Sequence, residues 1–498
     1  MSIKSFGAKL MAKVIVKRMW NSAHNSIECQ RNIFSTLINS ASQTQFGQDH
    51  DFENIKNLED FQKLVPIRDY EGLRPYIEQI IKGKEDVLWP GLPIYFAKTS
   101  GTTSGAKYIP ITKDSIPNHI HSARNMLLSY IQQTGKADFV DGKMIFLSGS
   151  PALKKKGSIN LGRLSGIVNH HVPAYLQRNR LPSYTTNCIE DWETKLDKII
   201  DETIDQDMRL ISGIPPWVQM YFDRIQERTG KTIKEVFPNF QVLVHGGVNF
   251  APYKAKLLDS IGGPIDILET FPASEGFFAF QESVDEEGLL LTVNSGIFYE
   301  FIPLDEFHND EPTRLPLWEV ELEKNYVLII NSNAGLWGYN IGDTVKFVSK
   351  NPYKVVVTGR VKHFISAFGE HVIAQEVSDS LSVACEKTGA TSVEFTVAPQ
   401  VEPAEGLPYH EWFIEFEQLP ENIQAFADIL NAELCKRNTY YNDLITGNIL
   451  KTAVISVVRK GGFQEYMKSI GKLGGQNKVP KLSNNRDMAT KLEPLLVK

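Results

Sequence analysis

"YFAKTSGTTSGAKYIPIT", residues 95–112, is the stretch whose reading decides the fold. Thr99 to Lys107 hold five hydroxyl side chains, two glycines, one alanine and one lysine. An apolar run leads in and another leads out, so the stretch reads as strand, loop, strand. Glycines let the backbone turn freely and approach a ligand closely. Successive N–H groups in such a turn form a concavity for an anion. The hydroxyls add neutral donors, and Lys98 or Lys107 adds positive charge. Together these suit phosphate; the plain structural reading is a hydroxyl-rich surface turn.

Two motifs come close. The nucleotide P-loop needs GxxxxGK followed by Ser or Thr, but Gly101 and Gly105 are four apart and Tyr108 follows Lys107. "SGAK" (104–107), "SDS" (378–380) and "KTG" (387–389) follow the order used by serine β-lactamases, which would make Ser104 a nucleophile. The last two fall on one predicted helix, whereas that chemistry wants its final motif on a strand facing the serine.

Around this loop lies a chain of 498 residues, 42% hydrophobic, ample for a packed core and long enough for roughly two to four domains. Charged residues make up 22%, the net charge is -6, and the longest basic run is Lys154–Lys156, a solvated loop. Nucleic-acid binding has no electrostatic footprint here. Cys29, Cys188, Cys385 and Cys435 are far apart and read as reduced thiols of a cytoplasmic protein. No apolar stretch reaches the roughly 18 residues of a membrane span. The first 20 residues mix lysine with apolar residues at helical spacing, which predicts an amphipathic helix on the protein body.

Residues 1 to about 90 read as helical. Beyond 95, apolar runs alternate with helical periods, an α/β pattern. Strands are expected at 143–149, 240–247 and 264–271, with antiparallel strands in 288–304 and 318–332. The last part predicts helices at 374–389 and 422–438 and strands at 392–399, 411–417 and 451–458. We place a domain boundary at 356/357, within a stretch that runs through "VTGRVKHF" (357–364).

Three further stretches carry chemistry. "ETFPASEGFFAF" (269–280) puts Ser274 and Glu275 in a loop; Glu275 is either bonded to backbone or a Mg²⁺ ligand, with Phe271 or Phe277 offering a face to a flat base. "GLWGYNIGDTVKFV" (335–348) carries Asp343 on a glycine-punctuated turn, suited to both hydroxyls of a ribose or to closing its own turn. Lys478 lies in the glycine-flanked "GGQNKVPKL" (474–482).

The order of these pieces resembles the adenylate-forming superfamily of acyl-CoA synthetases, peptide-synthetase adenylation domains and luciferases. In detail, "SGTTSGAKYIPIT", "FYEFIPL", "WEVELEKNYVLIINSNAGLWGYNIGD" and "QNKVPKL" resemble the auxin-responsive acyl-acid amido synthetases, in a bacterial-type member. Pro272 stands where that pattern usually has a small residue, and Asn340 where it usually has arginine. The resemblance implies a large N-terminal domain (1–356) of α/β layers with a β-barrel-like subdomain, binding ATP and the acyl substrate. A small mobile α+β domain (357–498) would close over it. Thr99, Ser100, Gly101, Thr102, Thr103, Ser104, Gly105 and Lys107 would hold phosphate, with Thr103 also catalytic. Glu275 would hold Mg²⁺, Phe271, Ala273 and Ser274 would line the nucleotide beside it, and Asp343 would anchor the ribose. Gly246, Gly247 and Val248 would line the adenine. Arg360 would touch the nucleotide, Lys362 would be the hinge, and Lys478 would bring charge to the α-phosphate.

Leu147, Val168, Ile214 and Trp217 are candidates for the acyl wall, or for ordinary core. The implied activity is ATP-dependent joining of a small carboxylic acid to an amino acid through acyl-AMP, by a monomer or weak dimer without nucleic acid or membrane. An acyl-CoA ligase and a non-enzymatic nucleotide-binding regulator are the alternatives.

Overall fold

The computed structural model describes residues 2–99, 107–172, 177–247, 250–284, 286–307, 309–361, 364–365, 370, 372–401, 403–446, 449–473, 478–483 and 485–497. The chain divides into two compact units: Met1–Ile214, Lys234–Gly247 and Pro264–Val356 form one, and Pro215–Ile233, Val248–Gly263 and Val357–Lys498 the other.

The first unit begins with the expected helices, Ile3–His24, Ser26–Ala41, Leu58–Leu64 and Tyr70–Ile81 among them. Ile3–His24 buries Ala12 and Val16 in a cluster with Met126 and Tyr130 of the helix Ile116–Thr134. A twelve-stranded sheet is the spine of this region. Its parallel side runs Arg180–Leu181, Lys143–Phe146, Met208–Ser212, Val242–Gly246 and Asp266–Ala273. "VLVH" (242–245) is buried throughout, the mark of a strand covered on both faces. At Asp266–Ala273 the direction changes: Gly276–Phe280 returns antiparallel through a tight turn, and Leu289–Leu291 follows. The far edge carries Tyr339–Lys350, Asn325–Ser332, Ile297–Pro303 and Leu315–Pro316, again antiparallel. These strands continue the same sheet. A second sheet of four strands holds Lys107–Ile111, Tyr95–Thr99, Ile159–Gly162 and Lys154–Lys156.

Two expectations are trimmed. The run 288–304 splits into Leu289–Leu291 and Ile297–Pro303, because Gly296 takes a positive φ of 76° between them. Of 318–332 only Asn325–Ser332 is strand; Leu317–Glu319 is a short 3-10 turn and Glu323 sits at φ 61°.

In the second unit Thr391–Gln400, Tyr409–Gln418 and Lys451–Val458 form a three-stranded sheet. The helices Ala374–Thr388 and Ile423–Arg437 bury Leu381, Phe426 and Leu430 in one cluster with Phe395 and Trp412 of the sheet. Gly389 ends the first helix at φ 68°, as a left-handed cap should. Both "SDS" and all but the glycine of "KTG" lie on that helix, which removes the β-lactamase arrangement. The helices Pro215–Thr229 and Ala251–Ile261 belong to this unit although they precede it in sequence. Tyr253 on the second donates to Glu394 at 2.8 Å, and Lys481 reaches both.

Candidate active site

The strands Tyr95–Thr99 and Lys107–Ile111 pair antiparallel with Thr99 opposite Lys107, so the two strand ends that flank the glycine- and hydroxyl-rich stretch lie side by side. Ser100, Gly101, Thr102, Thr103, Ser104 and Gly105 lie outside the described residues, as do Val248 and Lys362. Thr99 and Lys107 are partly exposed. The Lys107 ammonium stands 5.8 Å from the centre of the Tyr70 ring. The Tyr70 hydroxyl accepts the Tyr108 N–H at 3.0 Å.

Glu275 occupies the turn that reverses the sheet, where Ala273 pairs with Gly276. Its carboxylate is partly exposed and accepts the Tyr339 hydroxyl at 3.4 Å. Tyr339 is fully buried. Desolvation, then the charge of Glu275 and of Asp69, push its pKa well above the usual phenol range, so it stays a donor. Tyr70 adds to the same effect. Lys107 lies over Tyr70, the backbone of Arg68 just before Tyr70 pairs with Tyr339 through bonds of 2.9 Å to Gly338 and Asn340, and Tyr339 donates to Glu275, so the hairpin and the expected metal carboxylate are tied to one strand. Tyr339 is the residue the sequence reading passed over; it begins "YNIGD", and only its register shows that it faces Glu275.

Asp343 stands four residues further along the same strand and is 5% exposed. Val327 pairs with Thr344 and Ile329 with Asn340, so Leu328 alone opposes Ile341, Gly342 and Asp343. This bulge re-aims the strand, a device common beside active sites. Gly342 takes φ 86° there and donates its N–H to the Asn340 side chain at 2.8 Å. Asn340 therefore closes the bulge, a role that an arginine lacks the acceptor to fill.

Gly246 and Gly247 end the strand Val242–Gly246. A Cβ at Gly246 would meet the Thr270 carbonyl oxygen at 2.4 Å, so only glycine lets these two strands approach. Gly247 turns away at φ 82°. Phe271 is buried, its ring edge-on to Phe278 at 5.1 Å, which ties it to the core. Ala273 and Ser274 remain partly exposed beside Glu275. In the same strand Glu269 carries a carboxyl that no hydrogen bond or ion pair reaches among the described residues, and desolvation raises its pKa to about 7.

Of the acyl-wall residues, Leu147, Val168 and Ile214 belong to the first unit and Trp217 to the second. Leu147 and Trp217 are buried, Val168 and Ile214 partly exposed. Arg360 is exposed at the end of the strand Tyr353–Arg360, after Gly359 at φ 153°. The two lysines of "QNKVPKL" differ. Lys481 is buried, pairs with Glu394 and lies against Phe395, whereas Lys478 is exposed. No group of three or more His, Cys, Asp or Glu able to hold a metal occurs among the described residues. Glu275 therefore suits a cation that brings most of its own ligands as phosphate and water.

Residues 15–266 match the GH3 family N-terminal domain, 290–360 the GH3 family central domain and 375–487 the GH3 family C-terminal domain. An indole-3-acetic acid-amido synthetase, GH3.3 of Arabidopsis thaliana, is 22% identical over 556 residues, covering 94% of this chain and 92% of its own. A jasmonoyl-L-amino acid synthetase, JAR4 of Nicotiana attenuata, is 21% identical over 386 residues, covering 64% of this chain and 66% of its own. A solved GH3.15 acyl acid amido synthetase superposes with a TM-score of 0.79 at 14% identity, over 98% of this chain and 97% of that one, which shows a shared fold.

Proposed function

The chain belongs to the GH3 family, and on that premise we propose that it joins a small carboxylic acid to an amino acid at the expense of ATP. The observation that carries this reading for the chain itself is that the segment 68–70, whose Arg68 pairs with Tyr339 and whose Tyr70 lies under Lys107, joins the hairpin to the tyrosine that donates to Glu275, linking two motifs far apart in sequence. A carboxylate resists an amine because its carbon is electron-rich and oxide leaves poorly. In the first step a carboxylate oxygen attacks the α-phosphorus of ATP, and the bond to pyrophosphate breaks. In the second the amine attacks the acyl carbon, loses a proton, and AMP leaves.

The loop Thr99–Gly105 is assigned to the phosphates, with Thr103 nearest the chemistry, and Lys107 adds charge at its base. Asp343, held by the bulge, takes the ribose, and the backbone of Gly246, Gly247 and Val248 lines the adenine with Ala273 and Ser274. Glu275 holds Mg²⁺, which when bound offsets phosphate charge. Arg360 meets the nucleotide, Lys362 serves as hinge, and residues 357–498 move so that Lys478 brings a point charge to the α-phosphate. Leu147, Val168, Ile214 and Trp217 supply the apolar wall. We place the protein in the cytoplasm, where ATP is abundant and its four free cysteines stay reduced, as a monomer or weak dimer. Among the described residues no helix is long and apolar enough to cross a membrane.

ATP–pyrophosphate exchange over a panel of small acids tests the first step. Mass spectrometry after adding amino acids, or coenzyme A in a parallel reaction, identifies the acceptor. Exchange with at least one acid and an amide product are expected. A thioester alone would move the chain to the acyl-CoA ligases, and nucleotide binding without exchange would make it a regulator.

A further inference from the structure

Arg163 follows the strand Ile159–Gly162 directly. That strand runs parallel beside Tyr95–Thr99 with Gly162 opposite Ala97. Parallel strands end at the same edge, so Arg163 leaves the sheet where Thr99 opens the phosphate loop. Its stem lies against Gly149, where a Cβ would come within 2.8 Å of the Arg163 Cδ. The Gly149 N–H donates to the Ser165 hydroxyl at 3.1 Å. The stem thus lies between the segment that follows Leu147 and the one that carries Val168, two of the residues proposed for the acyl wall. The guanidinium is partly buried, and no hydrogen bond or ion pair engages it among the described residues.

A second cation lies close by. Lys195 is 3% exposed and donates to the carbonyl oxygens of Ser148 and Asn187, both at 2.8 Å. Those acceptors are neutral. Desolvation, with a smaller contribution from Arg163 and an opposing one from Cys188, lowers its pKa to about 8. Two desolvated cations that share no carboxylate are costly to keep. A ligand that supplies the missing anion accounts for that cost, and the planar fork of an arginine matches a carboxylate with two parallel hydrogen bonds.

We propose that Arg163 is the binding site for a substrate carboxylate other than the one being activated: the second carboxylate of a dicarboxylic acid, or the α-carboxylate of the incoming amino acid. The proposal rests on the amido-synthetase reading of the same site. Arg163 would act on affinity and on choice of substrate, leaving activation to the phosphate loop and Glu275.

The test uses full-length wild type, Arg163→Ala and Arg163→Lys with matched probes. Adipate against hexanoate and terephthalate against benzoate, in pyrophosphate exchange, read the acid. Alanine against alaninamide, in product formation, reads the amine. Wild type should prefer the probe with the extra carboxylate in one of these two arms. R163A should raise the KM for that probe about 10- to 100-fold, abolish the preference and leave the KM for ATP unchanged, with R163K recovering part of the loss. Equal treatment of each pair by wild type, or a rise confined to the KM for ATP, would overturn the assignment. Absence of exchange and of product with every acid would sink the amido-synthetase reading instead. Calorimetric titration with adipate, terephthalate and alanine then decides the site on its own: no loss of binding in R163A overturns it.

Discussion

The antiparallel side of the large sheet and the region around its parallel side handle buried charge in opposite ways. On the antiparallel side Glu300 is fully buried in Ile297–Pro303, yet Arg314 binds both its oxygens at 3.0 and 2.6 Å, and Gln62 and Asn331 add bonds at 2.9 and 2.8 Å. Lys354 is likewise buried with Glu282 as its partner. Around the parallel side Glu269, Arg163 and Lys195 are desolvated, and among the described residues no ion pair engages any of them. Paired charges hold a scaffold in one arrangement, whereas unpaired ones mark places shaped for something that binds. Open α/β sheets place ligands beyond the carboxyl ends of their parallel strands, which is where Gly246 and Gly247 lie.

The sharpest way to break this contrast is Glu300→Ala. Removing one partner leaves Arg314 buried with only the carbonyl oxygens of Gln62 and Val65 and without its counter-charge, and should cost about 3–5 kcal/mol in denaturant unfolding. A loss below about 1 kcal/mol would show that the antiparallel side does not depend on pairing. The damage should spread to the strand Tyr339–Lys350, because Asn331 also accepts the Gly338 N–H at 2.6 Å.

Glu275→Gln addresses the other side. Pyrophosphate exchange should fall by about 100-fold or more at fixed Mg²⁺, while the unfolding midpoint stays at its wild-type value. Full exchange in this variant would remove the metal assignment.

Glu269→Gln probes an unpaired charge through pH. The folded pKa, about 7, lies above the ordinary 4.5, so the folded state binds the proton more tightly. Wild-type stability should therefore be full below 4.5, fall as pH rises to 7 and stay flat above. The amide has no proton to lose, so the variant should gain about 3 kcal/mol on wild type at pH 8 relative to pH 4. The same difference at both values would show that burial does not govern this carboxyl. Asn340→Ala should have the smallest effect, about 1 kcal/mol, from the lost acceptor for Gly342. No measurable change would mean the bulge closes without it.

Much of the architecture was legible in the residues. The helix ending at Gly389, the strand around "VLVH" and the alternation in 391–458 follow from periodicity and end signals within a few residues of each other. The site was legible only as an ordered list. Glu275 and Asp343 were nameable from their turns, but the tyrosine facing Glu275 lies 64 residues away. The grouping of Trp217 with the second unit was hidden for the same reason, since nothing near it in sequence reports its neighbours. Asn340 looked like the loss of a charge, and the register of Asn325–Ser332 turns it into the cap of a bulge.

The sequence by itself determined most of the elements and the order of the motifs, because turns, helix ends and apolar periods are encoded locally, and the motifs carried the resemblance to the family. Only the tertiary structure decided which charged groups find an opposite charge among the described residues, separating Arg314 from Arg163, and which lysine is buried, separating Lys481 from Lys478. Desolvation and pairing depend on residues brought together across the whole chain, and no local stretch carries that information.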